Sequence, residues 1–503
     1  MENGMKLKKL LEKLDYTCLQ GNIEEDIADI TYNSKGNNMT NTAFVCIVGK
    51  VVDGHNFVSD VIEKGVKAVI VDREIQAPSH ITVIKVSDTR IALAFMSAAY
   101  FDYPASSLKT IGITGTKGKT TTTYMVHSIL EKAGISTGLI GTIEIITPKD
   151  VIAASHTTPE SYELQRYFRK MADEGCKCVV MEVSSQGLML NRVAGFTFDI
   201  GIFTNLQPDH IGPNEHSDFD NYKYCKGLLF KNCKTGIVNI DDEHVWDVLE
   251  GHTCSIETFG VEKDADLKAE EINLHKSYGN LGVEYKLKGK NQYKDMNFDV
   301  KIHIPGMFSV YNSLTAIAIC NHFGIPEDII KDALLEVQVK GRVENIKISD
   351  KFSLMIDYAH NAMSLDSLLS TLKEYNPTRL VCLFGCGGNR SKYRRFEMGE
   401  ISSKLADLTV VTSDNPRDEE PQAILDDIII GVKKADGDYV TIIDRQEAIK
   451  YCIKYAKEGD LIVLAGKGHE DYQEIKGVKY HMDERELIQT AVKELKEEGC
   501  SII

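Results

Sequence analysis

Residues 108–123 read LKTIGITGTKGKTTTT. A β-rich run feeds a turn of glycine and threonine, and a helical pattern, TYMVHSILEKAG, follows and ends at Gly134. The backbone N–H groups of such a turn, with the helix N-terminus behind them, make a cradle for an anion. Lys119 is placed to reach the outer phosphates of a nucleotide, and Thr120 to set a hydroxyl on Mg²⁺. The strict G-x-x-x-x-G-K-T spacing is not met. Ile113 stands at the first glycine position, and Gly112 and Gly115 supply flexibility in another register. The plain alternative is a glycine-rich turn holding a chance GKT.

Other polar residues follow apolar runs. After KCVVM come Glu182, Ser184 and Ser185, and after DIGIF come Thr204, Asn205, Asp209 and His210. A carboxylate and an imidazole on neighbouring strand ends, beside a phosphate loop, suit a divalent ion bridging phosphates. Taken singly, a capping acid and a structural histidine are the alternatives. A second group repeats the pattern: Asp357 and His360 after FSLMI, GCGGNRSK after RLVCLF, SDNPR after LTVVT, and GKGHE after LIVLA. The run GGNRSKYRR carries Arg390, Lys392, Arg394 and Arg395. It suits phosphate or carboxylate recognition, and its alternative is a solvated positive loop.

Strands that alternate with helices predict parallel, doubly wound α/β sheets, in which ligands sit outside the carboxyl ends of the strands. The first group of runs ends before Gly260, and the second begins after about Lys340. Between them, Asp264 to Lys301 holds alternating patches such as VEYKLKG, which predict a small antiparallel β insert, followed by the helical run YNSLTAIAICNHFG. The first ~105 residues have strand material of their own (TAFVCIVG, KAVIVDR, ITVIKVSD). The expected domains are 1–105, 106–339 and 340–503, in keeping with 503 residues at ~150 per domain.

Composition narrows the class. Apolar residues make up 43% and charged residues 26%, ordinary for a soluble globular protein. No stretch reaches the ~18 uncharged apolar residues of a membrane helix, and MENGMKLKKLLEKLDY reads as a charged amphipathic pattern, not a signal peptide. Among twelve cysteines the nearest pairs, Cys176/Cys178 and Cys382/Cys386, fit no common zinc spacing. Reduced thiols and a cytoplasmic location are expected. A net charge of −16 argues against general nucleic-acid binding.

Together these residues resemble the Mur ligase family, the ATP-dependent amide ligases of peptidoglycan precursor synthesis. ITGTKGKTTT is similar to that family's GTNGKT signature, with Lys117 where Asn is usual. TTPE at 157–160, EVSSQGL at 182–188, TNLQPDH at 204–210, YNSLTA at 311–316, GRVE at 341–344, DYAH at 357–360 and DNPR at 414–417 fall in the family's order. The nearest resemblance is to the branch that adds the third residue of the stem peptide, and SKGNNMTNTAFVCIVGKVVDGHNF resembles its uridine-binding domain. The resemblance implies three α/β domains: a small uridine-binding one, a central P-loop ATPase-like parallel sheet with the β insert, and a Rossmann-like C-terminal one.

It also implies roles. Gly115, Thr116, Lys117, Gly118, Lys119, Thr120 and Thr121 would hold ATP, with Asn312 and Arg342 near the adenine and the interdomain hinge, and Asp357 and His360 on the nucleotide side. Thr120 and Glu182 would hold a first Mg²⁺ and His210 a second, and Lys226 in NYKYCKGLLF, as a carbamate, would be a further Mg²⁺ ligand; a surface helix lysine is the alternative for Lys226. Ser34, Thr157, Thr158, Ser184 and Arg192 would contact the UDP-muramoyl-dipeptide. Arg390, Asp414, Asn415, Arg417, Gly466 and Glu470 would contact a diamino acid. DNPR resembles the pattern of enzymes that take meso-diaminopimelate. A guanidinium can hold its distal carboxylate through two parallel bonds; the alternative is an exposed pairing of Arg417 with Asp418, Glu419 or Glu420. The implied chemistry runs through an acyl phosphate, with closure of the C-terminal domain excluding water, in a monomer.

The chain departs from the family pattern at Gln186 and Gly187, at Asn361, Ala362 and Met363, at Asn389 and Phe396, and in the segment IGPNEHSDF after His210. L-Lysine or another diamino acid as the substrate, a folylpolyglutamate synthetase, and a non-ligating P-loop ATPase or catalytically silent binding paralogue are the competing functions.

Overall fold

A computed structural model describes residues 4–49, 52–212, 215–277 and 280–500. Every run read above as a strand of the two groups forms one. The chain divides into two compact units. The first comprises Met1–Lys268, Lys290–Tyr293 and Leu314–Ile329, and the second Ala269–Gly289, Lys294–Ser313 and Ile330–Ile503. The β insert expected within the central domain thus falls largely in the second unit.

The first unit holds a short antiparallel pair, Met5–Lys6 with Asp26–Ile27, and two larger sheets. One has five strands in the order Tyr16–Gln20, Thr82–Val86, Ala68–Val71, Thr42–Val45 and Asp29–Thr31, parallel except for its Tyr16–Gln20 edge. The other runs Val151–Ala153, Glu144–Ile146, Thr137–Ile140, Cys178–Glu182, Lys109–Thr114, Phe198–Phe203, Cys233–Asn239 and Ser255–Gly260, and continues into the strands of the insert through Leu267–Ser277. It is parallel from Thr137–Ile140 to Ser255–Gly260 and closed at its near edge by an antiparallel hairpin. Such strands are buried on both faces and read as unbroken apolar runs: Cys178–Glu182 is buried at every position.

In this register Lys109–Thr114 lies between Cys178–Glu182 and Phe198–Phe203, with Ile113 opposite Glu182 and Thr114 opposite Phe203. Glu182 and Thr204 therefore frame the turn that leaves Thr114.

The second unit is built on a sheet ordered Glu344–Asn345, Ser353–Asp357, Asp460–Ala465, Arg379–Phe384, Leu408–Val411 and Tyr439–Thr441. It is parallel except at the first edge. All four sequence-marked strand ends leave its carboxyl side. Asn280–Gly289 pairs antiparallel with Asp299–Ile302, as the alternating pattern predicts. A hairpin absent from the sequence reading, Tyr472–Ile475 with Val478–His481, follows GKGHE. No helix among the described residues is long and apolar enough to cross a membrane.

Candidate active site

The phosphate-type turn is tightly held. Gly115 has φ +150°, and a Cβ there would lie 1.9 Å from Thr204 Oγ1, so only glycine fits against this strand end. Thr204 Oγ1 donates to the Lys117 carbonyl at 2.8 Å, and Asn205 takes both ends of Lys117: Oδ1 accepts from its N–H at 2.9 Å and Nδ2 donates to its carbonyl at 3.0 Å. The turn enters Lys119–Lys132 through Gly118 at φ +86°, with no acidic residue in the first turn to offset the positive helix end. Thr120 and Thr121 are buried there. Lys119 Nζ donates to the carbonyls of Gly115 at 2.8 Å and Thr116 at 3.0 Å.

Thr120 Oγ1 donates to Glu182 Oε1 at 3.0 Å. Glu182 is 1% exposed and also accepts from the Thr142 N–H at 2.8 Å and hydroxyl at 3.1 Å. Lys226, at the end of Phe219–Gly227, is equally sealed and donates to the Gly115 carbonyl at 2.8 Å. It is not the surface helix lysine of the alternative reading. Burial first, and the Lys119 charge second, push its pKa well below the usual lysine range. The turn thus draws together Lys119, Thr120, Glu182 and Lys226. His210 is placed apart in its bonding. It lies in the loop beyond Phe198–Phe203 at φ +55°, 52% exposed, and pairs with Glu215 at 3.1 Å. Among the described residues no group of three or more His, Cys, Asp or Glu is arranged as a metal site.

Of the residues read as dipeptide contacts, Thr157, Thr158, Ser184 and Arg192 gather along the same sheet, and Ser34 lies apart from it. Thr142 Oγ1 lies 3.0 Å from Thr157 Oγ1. Thr158 Oγ1 donates to the Glu182 carbonyl at 3.0 Å and accepts from the Ser184 N–H at 2.9 Å. Ser184 caps Ser185–Met189. Arg192 donates to the Thr158 carbonyl at 2.9 Å and pairs with Glu160 at 2.6 Å. Ser34 sits in the loop after Asp29–Thr31, where its carbonyl accepts from Lys64 at 2.7 Å.

Sequence reasoning missed His216, which is wholly buried and bridges Ser185 Oγ at 2.8 Å and Asn221 Oδ1 at 2.9 Å. Burial lowers its pKa. Tyr222 stands beside it, its hydroxyl 3.1 Å from Thr116 Oγ1 and its ring 4.5 Å from Lys226 Nζ.

In the second unit, Asp357 Oδ2 accepts from the Val343 N–H and Oδ1 from the Ala359 N–H, both at 2.8 Å. Burial raises its pKa. The Arg342 guanidinium lies 5.1 Å from the Tyr358 ring, and His360 Nδ1 is 2.8 Å from the Tyr358 carbonyl. Asn312 is buried on Met307–Asn321. Gly466, at φ +109°, donates its N–H to the Asp357 carbonyl at 3.0 Å. A Cβ on it would stand 3.3 Å from Asp414 Oδ2.

Asn415 Nδ2 donates to Glu470 Oε2 at 2.9 Å. Arg417 pairs with Glu474 at 3.1 Å and donates to the Gly388 carbonyl at 2.8 Å. Its carboxylate partner is therefore none of the three acids that follow it in sequence; Glu419 is engaged by Arg395 at 2.7 Å, and Asp418 by Asn389 at 2.6 Å. The basic run is divided. Arg395 is buried between Glu419 and Asp427, Lys392 reaches Asp427 at 3.2 Å, and Arg390 is exposed.

Residues 113–320 match the Mur ligase middle domain, and residues 341–468 the Mur ligase glutamate ligase domain. The UDP-N-acetylmuramoyl-L-alanyl-D-glutamate–2,6-diaminopimelate ligase of Clostridium perfringens (strain 13 / Type A) is 44% identical over 494 residues, 96% of this chain and 99% of the relative. Its namesake in Clostridium tetani (strain Massachusetts / E88) is 43% identical over 497 residues, 98% of this chain and all of the relative. The chain belongs to the Mur ligase family. A solved structure titled as a ligase of the same name has a TM-score of 0.72 at 25% identity, covering 98% of this chain and 99% of that one.

Seen within the Mur ligase family, three departures have local reasons. Lys117 is held by both ends of its backbone, so its side chain is free to differ from the usual Asn. A Cβ at Gly187 would meet Thr158 Cγ2 at 2.8 Å, so glycine suits the close approach here. Asn361 accepts from the Ser364 N–H at 2.9 Å and caps Ala362–Lys373, a task Asn performs as well as Thr.

Proposed function

We propose that the chain joins meso-diaminopimelate to the D-glutamyl carboxylate of UDP-N-acetylmuramoyl-L-alanyl-D-glutamate, with cleavage of ATP to ADP and phosphate. Full-length similarity at 44% identity to a ligase named for this substrate pair supports the reading most. The glutamyl carboxylate attacks the γ-phosphorus and ADP leaves. The amine then attacks the acyl carbon, and phosphate leaves with the loss of the amine's proton.

The residues fit ATP and Mg²⁺. Gly115 packs its turn against Thr204 with no room for a Cβ, and the turn runs into the N-terminus of Lys119–Lys132, whose first turn holds no acidic residue, a setting suited to phosphate. The buried Thr120 hydroxyl and Glu182 carboxylate are the hard oxygen donors Mg²⁺ prefers. Thr120 and Glu182 would hold one Mg²⁺ and His210 a second, with carbamylated Lys226 as a further oxygen ligand, and the metal would supply neutralisation of phosphate charge. Lys119 moves from its own loop carbonyls to the phosphates. Asn312, Arg342, Asp357 and His360 serve the nucleotide. Ser34, Thr157, Thr158, Ser184 and Arg192 orient the UDP-linked dipeptide. Arg390, Asp414, Asn415, Arg417, Gly466 and Glu470 receive the diamino acid, Arg417 taking its distal carboxylate.

Residues 1–105 form the uridine-binding domain, 106–339 the ligase domain and 340–503 the amino-acid-binding domain of a cytoplasmic monomer. Incubation of the chain with ATP, the UDP-linked dipeptide and meso-diaminopimelate should yield the UDP-linked tripeptide and ADP in equal amounts by mass spectrometry and chromatography. ADP formed without the tripeptide would contradict the proposal.

A further inference from the structure

Lys467 is the lysine of the GKGHE turn, and it is wholly buried. A buried ammonium is costly unless its donors are matched. Here they are: Nζ donates to Asn415 Oδ1 at 3.0 Å, to Glu470 Oε2 at 2.8 Å and to the Tyr472 carbonyl. Two of these acceptors are side chains assigned above to the diamino acid. Asn415 Oδ1 also accepts from the Glu474 N–H at 2.9 Å, so two donors fix which end of the amide is oxygen. The other end, Nδ2, then meets Glu470 Oε2, the oxygen Lys467 already holds. Glu470 Oε1 faces the Tyr358 hydroxyl at the longer distance of 3.4 Å.

Arg445 makes a useful contrast. Its buried guanidinium donates to the carbonyls of Ser413 and Ala465, both at 3.1 Å, and to Glu484 at 2.9 Å. Besides Glu484 it secures main chain at the two strand ends, whereas Lys467, besides the Tyr472 carbonyl, secures two side chains beyond them.

We infer that Lys467 is a positioning residue for the amino-acid substrate. It locks Oε2 of Glu470 and the amide of Asn415, and leaves Glu470 Oε1 as the acceptor for the substrate's distal ammonium. The inference rests on the proposed function, which places Asn415 and Glu470 at the diamino acid. Its test is steady-state phosphate release by full-length Lys467→Met, Lys467→Gln, Glu470→Gln and the Lys467→Met/Glu470→Gln pair.

Loss of one charge-assisted bond network predicts a KM for meso-diaminopimelate raised about 30-fold in Lys467→Met. The KM values for ATP and the UDP-linked dipeptide should stay within about threefold, because Lys467 touches neither assigned set. Lys467→Gln, which keeps a donor, should recover part of the loss. The double variant should be within about threefold of the worse single one, since both act through the same carboxylate. An unchanged diaminopimelate KM, a parallel rise in all three KM values, or single effects that multiply in the double variant would each overturn the inference. Wild-type protein without diaminopimelate-dependent turnover would overturn the proposed function, and the inference with it. Normal wild-type turnover beside an indifferent Lys467→Met would remove the inference alone.

Discussion

An ammonium sealed from water beside a second lysine is an unfavourable charge, and Lys226 is in that position. The neutral amine that burial favours is also the form that adds CO₂: the nitrogen bonds to carbon, a proton leaves, and an anionic carbamate results. An ammonium repels Mg²⁺, whereas the carbamate offers it two oxygens. Lys226→Ala should lower turnover about a thousandfold, several kcal/mol of lost charge stabilisation, and short carboxylates should restore part of it in a phosphate-release assay. Near-normal turnover would contradict the carbamate.

The counter-ion of Arg417 is Glu474, and in the proposed role of Arg417 the distal carboxylate would share or displace it. Losing a bidentate charge pair costs ~2–5 kcal/mol, so Arg417→Ala should raise the KM for diaminopimelate about a hundredfold or more and harm lysine use far less. Unchanged diaminopimelate kinetics would contradict the assignment. His469 supplies a pH signature. Burial first, then Arg342, push its pKa down to about 4 from 6.5. Between those values the unfolded chain binds more protons, so the stability present above pH 6.5 is lost as pH falls towards 4, by at most ~3 kcal/mol. His469→Gln should flatten the thermal midpoint across that window, and an unchanged slope would remove His469 from the account.

Among the elements, the turns that carry the chemistry are fixed by close backbone approach. Gly341 has φ +67°, and a Cβ there would lie 2.1 Å from the His469 N–H nitrogen and 2.2 Å from the Gly468 carbonyl carbon. Its own N–H donates to Glu344 Oε2 at 2.7 Å. A substitution at this position acts on local packing before any hinge. Gly341→Ala should destabilise the protein by about 2 kcal/mol or more, seen as a lower thermal midpoint; Gly341→Pro should do worse, because it also loses the donor. A midpoint unchanged in Gly341→Ala would contradict the packing.

The central strands were legible because parallel strands buried on both faces are continuous apolar runs, as in RLVCLF and LIVLA. The Tyr472–His481 hairpin was not. It turns on Lys476 and Gly477 at φ +50° and +78°, a geometry that sequences usually announce with Asn-Gly or Asp-Gly. The Lys119–Thr120–Glu182 cluster was legible because each member follows a strand. His216 and Lys467 were not, since their roles arise from partners distant in sequence or from burial that a Gly-Lys-Gly turn does not suggest. The division of GGNRSKYRR was not legible for the same reason: Arg395 is drawn inward by Glu419 and Asp427.

At the scale of the whole molecule, the two compact units divide the chemistry. The first contains the phosphate turn, Glu182, Lys226 and the residues assigned to the UDP-linked dipeptide, while the second contains Arg342, Asp357, DNPR and GKGHE. The proposed acyl-phosphate reaction requires turnover to depend on all three substrates, unlike a simple ATPase. It also requires discrimination at the distal end of the diamino acid, where lysine lacks the carboxylate that Arg417 is assigned to hold. The most direct measurement is phosphate release by the wild-type chain with ATP and UDP-N-acetylmuramoyl-L-alanyl-D-glutamate, comparing meso-diaminopimelate with L-lysine and with no amino acid. The account predicts release that needs both the nucleotide-linked dipeptide and an amino acid, with kcat/KM at least about a hundredfold higher for meso-diaminopimelate. Release that is indifferent to the amino acid, or a preference for L-lysine, would contradict it.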